Sequence, residues 1–376
     1  MRGQLACRGQ LLMPATTGTF GDQCRQQHPG MGNDPCRTRG FVLVLRAGLA
    51  VFTLSAFIAC AQPALAQDRL TNVSYDVSRE LFQALNPSFA AKWMTETGRN
   101  IEIEQSHGGS SQQARAIMDG QAADVVTFNQ ETDIDTLVDS GFIAADWRDK
   151  FSNGASPYYS FPAFLVRAGN PKHIQDWSDL ARKNVIPIFP NPKSSGNGRY
   201  TYLTAYAFGL AQSGGDPEKA QEFVRKILSS VPFFDVGGRA ATQSFAERGI
   251  GDVLVTFEAE TGAIAEEYAD QNFVRVTPSI SLLSEFPVAV VTANAERDGT
   301  TDVATAYLGW LYSPEAQEIL ARNHYRVRDE KISAKYAEAF PPLRLVTVGQ
   351  VFGGWDKIRA SHLAAGGILD QLLTDE

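Results

Sequence analysis

Cysteine is missing from most of this chain. The four cysteines are Cys7, Cys24, Cys36 and Cys60, and the 316 residues that follow Cys60 contain none. The part of the chain after Cys60 therefore has neither a disulfide framework nor a thiolate metal site nor a cysteine nucleophile. The same absence suits an oxidising compartment outside the cytoplasm.

Positive charge is also scarce. Of the 34 Lys+Arg and 42 Asp+Glu, 6 and 2 fall in residues 1–66, which leaves 28 against 40 and a net charge of −12 in residues 67–376. Nucleic acid and anionic membrane surfaces are therefore poor partners. Surface charges more than about 8–10 Å away are screened at physiological salt, so local hydrogen-bond donors can still hold an anion.

An export signal precedes the acidic segment. Arginines at 37 and 39 are followed by an apolar run at 41–61, and Ala64-Leu65-Ala66 forms a small-residue cleavage site. We predict a signal peptide at 37–66, a disordered upstream extension at 1–36 and a periplasmic mature protein. A membrane anchor would need roughly 18 uninterrupted apolar residues, and Arg46 breaks the run. A lipid-modified Cys60 is the other alternative, in a poor lipidation motif.

Short β-branched runs alternate with helical stretches after residue 67. Such alternation is typical of α/β architecture with mainly parallel sheets, and the length favours two domains. We predict strands at 70–74, 101–105, 125–128, 161–167, 185–189, 231–235, 253–257, 273–277 and 288–292. We predict helices at 79–97, 111–120, 201–211, 217–229 and 302–321.

Two glycine- and serine-rich segments each follow an apolar run and precede a helix. They are Ser-His-Gly-Gly-Ser-Ser at 106–111 and Asn-Pro-Lys-Ser-Ser-Gly-Asn-Gly-Arg at 191–199. Each turns backbone N–H groups, serine hydroxyls and a positive helix end to one place, as proteins do to hold a small oxyanion. Ser110 and Gln113 also have the spacing of a capping box, which a helix without a ligand would share. A third glycine turn, Gly237-Gly238-Arg239, precedes another helical stretch.

These motifs resemble those of the periplasmic sulfate-binding proteins of ABC importers. The resemblance rests on residues 72–76, 105–110, 190–196, 247–254, 312–315 and 351–355, and Asn-Pro-Lys-Ser-Ser-Gly and Phe-Gly-Gly-Trp are its most specific strings. It runs across essentially the whole mature chain. It implies an α/β, two-lobed type II periplasmic-binding-protein fold with the ligand cleft between the lobes. We expect lobe 1 at 68–160 and 287–335, and lobe 2 at 161–286 and 336–376.

The resemblance also implies a site made of neutral donors, with no Lys or Arg touching a dehydrated sulfate. Carried over to this sequence, the donors are the hydroxyls of Ser110 and Ser195 and the main-chain N–H groups of Gly196, Asn197 and Gly238. The family often has glycine at position 197 and alanine at 238. Backbone donors tolerate both differences.

The chain departs from the family at Phe257. The family has a tryptophan at this position, and its indole N–H donates to the anion. We expect Phe257 to face the cleft and Thr256 to point to the opposite face of the strand. One lost bond to a charged group is worth roughly 1.5–3 kcal/mol, which would alter anion selectivity. Behind the site we expect His107 as a hydrogen-bonding loop residue and Arg239 paired with a carboxylate.

The function implied is that of a solute-binding subunit, not an enzyme. It would be a monomer without cofactor or metal that delivers sulfate or thiosulfate to the membrane permease of an ABC importer. No Walker A motif is present, so the chain is not the importer's ATPase. Two alternatives stay open: a binding protein for molybdate or another tetrahedral oxyanion, and a secreted hydrolase of sulfate or phosphate esters. A hydrolase would need a nucleophile, base or metal cluster that the sequence does not show.

Overall fold

The computed structural model describes residues 67–340 and 343–374, so the extension and the signal peptide predicted at 1–36 and 37–66 lie outside the described residues. The strands are β1 (Gln67–Tyr75), β2 (Asn100–Gly108), β3 (Val125–Thr127), β4 (Tyr158–Ser160), β5 (Pro162–Val166), β6 (Pro187–Ile188), β7 (Val253–Phe257), β8 (Val274–Val276), β9 (Ser284–Phe286), β10 (Val288–Val290) and β11 (Arg326–Val327).

The helices alternate with these strands, as the sequence predicts. They are α1 (Arg79–Thr97), α2 (Ser110–Met118), α3 (Glu131–Asp139), α4 (Ser152–Ala155), α5 (Trp177–Leu180), α6 (Gly196–Ser213), α7 (Pro217–Leu228), α8 (Gly238–Thr242), α9 (Glu258–Glu267), α10 (Thr292–Asp298), α11 (Thr301–Trp310), α12 (Pro314–Arg322), α13 (Glu330–Lys335), α14 (Val348–Phe352), α15 (Trp355–Ile358) and α16 (Ile368–Thr374). Single 3-10 turns lie at Asp76–Ser78, Trp147–Asp149 and Ala269–Gln271, and π-helical turns at Gln243–Glu247 and Arg359–Leu363.

The strands form three sheets. The first has the order β10-β3-β1-β2, with β1 parallel to β2 and β3 and with β10 antiparallel to β3. The second has the order β6-β7-β5-β8, in which only the β6–β7 pair is parallel. The third, β11-β4-β9, is antiparallel. The α/β class is confirmed, but the expected predominance of parallel pairs is wrong.

The antiparallel pairs arise where the chain passes from one sheet to another. Phe161 alone separates β4 from β5, and Pro287 alone separates β9 from β10. In each case the same extended stretch contributes to two sheets, and the second crossing runs in the opposite direction to the first. The predicted lobe boundaries fall at these two joints. The assignment of residues to lobes stays a prediction.

Two predicted elements differ from the structure. The helix expected at 302–321 is divided into α11 and α12, because Ser313 caps α12 and Pro314 occupies its first turn. A proline in the first turn fits a new helix and cannot continue an old one. The strand expected at 231–235 is absent from the described sheets, and only Asp235 forms an isolated bridge, to Pro190.

Helix α6 is buried on all sides over most of its length. Every residue from 196 to 209 is buried, including Tyr200, Tyr202 and Phe208. A fully buried large apolar side chain contributes about 1.5–3 kcal/mol to folding. Because the core holds this helix so firmly, its first turn has a fixed position.

Candidate functional site

Helix α2 begins where strand β2 ends, and Ser110 is its first residue. Gly109 is the N-cap, so the capping box expected at Ser110 is wrong: the serine lies one position too late to cap the helix. The buried Ser110 Oγ instead donates to Asn129 Oδ1 at 2.7 Å. The Gln113 Nε2 donates to Ser106 Oγ at 3.0 Å. The Ser110 hydroxyl is therefore directed away from its own helix.

Helix α6 begins at the second glycine- and serine-rich segment. Ser195, 1% exposed, is the N-cap, and its Oγ accepts the Gly198 N–H at 3.5 Å. Gly196 and Asn197 are the first helical residues, so their N–H groups have no partner within the helix. A Cβ on Gly196 would overlap Asn129 Oδ1, which is why this position needs a glycine.

Helix α8 begins at the third glycine turn, with Gly238 as its first residue. A Cβ on Gly238 would lie 3.0 Å from Val77 Cγ1 and 3.5 Å from Asn197 Nδ2. The next N–H group, that of Arg239, donates to Asp76 Oδ2 at 3.0 Å. Burial raises the pKa of Asp76 above its ordinary value.

The three turns meet at one place. A Cβ on Gly109 would lie 2.7 Å from Ser194 O and 3.7 Å from Val236 O. The Ser194 Oγ donates to Val236 O at 3.0 Å. Asn129 contacts both the start of α2 and the start of α6, and Asn197 lies against the start of α8. The structure thus brings together five of the residues predicted from the sequence, namely Ser110, Ser195, Gly196, Asn197 and Gly238.

The side chain of Asn197 is fixed by two residues that the sequence analysis missed as site residues. Its Nδ2 donates to Thr256 Oγ1 at 2.7 Å and lies 3.3 Å from Glu260 Oε2. The Thr256 hydroxyl also donates to Glu260 Oε2. Burial, with a smaller contribution from the nearby charge of Asp76, raises the pKa of Glu260 to about 8. The i, i+4 spacing of Thr256 and Glu260, directly beside Phe257, was the available signal.

Phe257 is buried, 1% exposed, within an aromatic group. Its ring packs edge-on against Phe286 at 5.0 Å and against Tyr200 at 5.9 Å, in an aromatic group of the main core. Thr256, expected to point away from the site, reaches Asn197 instead, so that expectation is wrong. Neighbouring residues of a strand face opposite sides, and here the threonine side faces the candidate site.

His107 and Arg239 lie at the edge of the candidate site. His107 belongs to strand β2 and not to a loop, and its Nδ1 lies 3.3 Å from both Tyr75 O and Ser78 Oγ. Burial lowers the pKa of His107 below its ordinary value, so the ring is neutral at physiological pH. The guanidinium of Arg239 pairs with Glu80 Oε1 at 2.9 Å near the surface.

Arg199 is a buried cation that links α6 to α2 and α3. It is 7% exposed, and its Nη1 lies 3.1 Å from Asp133 Oδ1. It also donates to Gln130 Oε1 and to Ser111 Oγ. Asp133 neutralises the charge of Arg199, and the bridge holds the starts of α2 and α6 at a fixed separation.

A separate cavity of about 290 Å³ lies away from these donors. Glu131, Arg148, Glu285 and Trp355 are among the residues that line it. Burial raises the pKa of Glu131 to about 7. Its carboxyl groups are acceptors when ionised, so this cavity suits a dianion less well than the glycine turns do.

Among residues 67–340 and 343–374, no group of three or more His, Cys, Asp or Glu side chains has an arrangement that could hold a metal ion. Over the same part of the chain, no helix combines the length and the apolar character needed to cross a membrane.

Residues 74–326 match the family model described as bacterial extracellular solute-binding protein. The thiosulfate-binding protein of Escherichia coli is 50% identical over 306 residues, which cover 81% of this chain and 90% of that protein. The sulfate-binding protein of the same organism is 46% identical over 317 residues, covering 84% and 96%. The resemblance predicted from the motifs is confirmed by these relatives.

The fold has a close match among solved structures. The sulfate-binding protein SubI from Mycobacterium tuberculosis superposes with a TM-score of 0.71 and 34% identity, over 78% of this chain and 98% of that one. The predicted fold class is thereby confirmed. The chain has two α/β lobes with a ligand cleft between them.

Proposed function

Because this chain belongs to the family of bacterial extracellular solute-binding proteins, we propose that it captures sulfate or thiosulfate in the periplasm and delivers the anion to the membrane permease of an ABC importer. The observation that carries this proposal is the meeting of three helix starts at Ser110, Ser195 and Gly238. Relatives with 46–50% sequence identity are sulfate- and thiosulfate-binding proteins, which supports the choice of anion.

The donors suit a fully ionised tetrahedral dianion. Hydroxyl groups come from Ser110 and Ser195, and main-chain N–H groups come from Gly196, Asn197 and Gly238. Bonds from neutral donors to an ionised acceptor are stronger than bonds between neutral groups. Each helix start adds about 0.3–1 kcal/mol through its dipole. Such a site needs no Lys or Arg in contact with the ligand.

A donor-only site would also reject protonated phosphate. Sulfate has no proton at neutral pH, whereas the O–H of phosphate would face donors and leave polar groups unpaired. An unpaired buried polar group costs about 1–3 kcal/mol. Discrimination therefore follows from hydrogen-bond matching and does not require surface charge.

We propose that the protein binds its ligand without chemical conversion and acts as a monomer. The Ser110 hydroxyl donates to Asn129, and His107 lies against Tyr75 O. Ser110 and His107 therefore do not form the nucleophile–base pair that a hydrolase would need. The relatives are binding proteins, which does not favour the hydrolase alternative or the molybdate alternative.

Closure of the lobes around the anion is part of the proposal. With the predicted boundaries, Ser110 belongs to lobe 1, whereas Ser195, Gly196, Asn197 and Gly238 belong to lobe 2. The anion would then bridge the lobes and favour the closed form over the open one. The Arg199–Asp133 pair would join the lobes at the same place.

The test is calorimetric titration of the mature protein with sulfate, thiosulfate, molybdate and phosphate. We expect Ser195→Ala to weaken binding by about 1.5–3 kcal/mol through loss of a donor to a charged group, which is about ten- to a hundredfold in affinity. Both Ser195→Ala and the control Ser313→Ala remove a helix cap and lose about 1 kcal/mol of stability. Ser313 caps α12 through Ala316 N at 3.2 Å, and its variant should bind as the parent does. Equal affinity in Ser195→Ala and the parent would contradict the proposed site.

A further inference from the structure

One buried carboxyl at the candidate site has no cationic partner. Glu260 is 5% exposed, and the neutral side chains of Asn197 and Thr256 are its hydrogen-bond partners. Within the part of the chain that the structure describes, no ion pair includes it. Glu258 on the same helix is also 5% exposed, but Arg326 pairs with both of its oxygens, at 2.6 and 2.9 Å. Two carboxyls of equal burial therefore have opposite electrostatic surroundings.

Glu260 borders the proposed anion donors directly. A Cβ on Gly238 would lie 3.5 Å from Glu260 Oε2, and the Asn197 side chain lies between the carboxyl and the start of α6. A dianion held by the main-chain N–H groups of Gly238 and Asn197 would therefore lie close to the carboxyl of Glu260. Both would lie in a poorly hydrated cleft, where charges are screened weakly.

Among the described residues, the groups that face Glu260 supply no compensating positive charge. Arg239 lines a pocket together with Glu260, and its guanidinium pairs with Glu80 of α1. Asp76, which follows β1, adds a further acidic group, and its charge disfavours ionisation of Glu260. The other titratable groups that face this carboxyl are Glu247, Glu267 and Tyr268, which line that pocket with it, and Tyr75 and Tyr325, whose own pKa values its charge raises.

We propose that the protonation of Glu260 controls the affinity of the protein for a dianion. The carboxyl must be protonated and uncharged when the dianion binds beside it. The inference rests on the proposed function and goes one step further. An ionised Glu260 would repel the dianion, whereas the protonated carboxyl keeps its hydrogen bonds to Asn197 and Thr256 without adding charge. Asn197 and Thr256 act as positioning residues that hold the carboxyl in place.

The proposal gives a definite pH dependence. The pKa of Glu260 lies at about 8, so most molecules carry the proton at neutral pH. The anion favours the protonated form and raises this pKa further. Affinity is therefore nearly full at pH 7 and about half of its maximum at pH 8. It falls up to about tenfold for each further pH unit, until the pKa of the complex is reached. Sulfate and thiosulfate stay fully ionised over this range, and His107 titrates below it.

The experiment is calorimetric titration of sulfate into the mature protein between pH 7 and pH 9.5. We expect the parent to lose up to about thirtyfold in affinity across that range. Glu260→Gln keeps the shape and the hydrogen bonds but cannot ionise, so its affinity should stay constant. Glu131→Gln is the matched control: it removes a half-buried carboxyl of raised pKa, outside the donor cluster. This variant should lose affinity above pH 8 as the parent does. The same pH profile in the parent and in Glu260→Gln would overturn the proposal.

A second measurement needs no variant. At pH 8, sulfate binding should take up about half a proton, measured by titration in buffers of different ionisation enthalpy. Absence of proton uptake, with sulfate bound normally, would overturn the role of Glu260 and leave the proposed function intact. Absence of binding to sulfate and thiosulfate at every pH would overturn the proposed function itself.

Discussion

Phe257 is the residue at which the sequence motif and the packing give different information. The motif places it where a tryptophan donor is expected, and the structure places its ring between Phe286 and Tyr200. The phenyl ring has no N–H group, so it contributes packing and no hydrogen bond. Its influence on anion selectivity therefore depends on how far a larger ring would extend beyond the aromatic group.

For Phe257→Trp we expect higher sulfate affinity and a higher preference for sulfate over thiosulfate. The indole would add a donor, and the terminal sulfur of thiosulfate is a poorer acceptor than a sulfate oxygen. The gain for sulfate should approach about 1.5–3 kcal/mol if the N–H reaches the anion. Titration of both anions into both proteins measures the ratio. An unchanged ratio would show that residue 257 does not contact the ligand.

His362 is a buried histidine remote from the candidate site. Its Nδ1 lies 2.7 Å from Tyr202 Oη, and its ring packs edge-on against Tyr206 at 4.8 Å and Phe352 at 5.5 Å. Burial lowers the pKa of His362 to about 4. The folded protein therefore holds a neutral ring that takes up a proton on unfolding below about pH 6.5.

For His362→Asn we expect a flatter acid limb of the stability curve. Because the folded pKa is depressed, the stabilisation is complete above pH 6.5 and is lost as pH falls towards 4, by about 1–3 kcal/mol. Asparagine can accept from Tyr202 but does not titrate. Urea unfolding at several pH values measures this, with the exposed His173→Asn as the control. The raised pKa values of Glu131 and Glu260 increase stability as pH falls. Both carboxyls are present in the parent and in His362→Asn, so their effect cancels when the two proteins are compared. Parallel pH curves for the parent and His362→Asn would contradict the assignment.

At the scale of single elements, local patterns predicted what local forces determine. The bounds of α1 were predicted at 79–97 and are found there. The start of α2 was predicted to within one residue. The capping role of Ser110 was wrong, because its hydroxyl bonds to Asn129, which no local pattern connects to it. The single helix predicted at 302–321 failed at Ser313-Pro314, a capping signal that was present but was not used.

The candidate site divides in the same way. The glycine turns were found because each one is a local motif with its own backbone requirement. Thr256, Glu260 and Arg199 were missed as residues that hold the donors in place. Their contacts join residues about 60–90 positions apart, and spacing along the chain says little about such pairs. The antiparallel crossings at Phe161 and Pro287 are likewise a property of the path between sheets and not of the strands themselves.

At the scale of the whole molecule, the closest approach between the glycine turns limits closure. Gly109 faces Ser194 O, and a Cβ there would lie 2.7 Å from that oxygen. This distance is shorter than ordinary carbon–oxygen contact, so a methyl group would hold the start of α2 and the start of α6 apart. Gly109 has a φ of −56°, which any residue can adopt, so an alanine at this position causes no backbone strain.

We therefore expect Gly109→Ala to weaken sulfate binding at least tenfold while leaving the melting temperature nearly unchanged. The substitution obstructs the approach of two helix starts and removes no core contact. Calorimetric titration and thermal unfolding measure the two effects. Gly309→Ala, whose added Cβ would lie 3.8 Å from Phe151, is the control and should bind normally. Tight binding by Gly109→Ala would show that the two turns need not meet.

The pairing of β3 with β10 has a consequence for the order of events during synthesis. Val125 is paired with Val290, so the first sheet lacks an edge strand until about three quarters of the chain has been made. Contacts between such distant residues form slowly, because a long loop must close first. A nascent chain of this topology cannot complete its first sheet until β10 has been made. For a chain with the export signal predicted at 37–66, this delay would keep the polypeptide open for translocation.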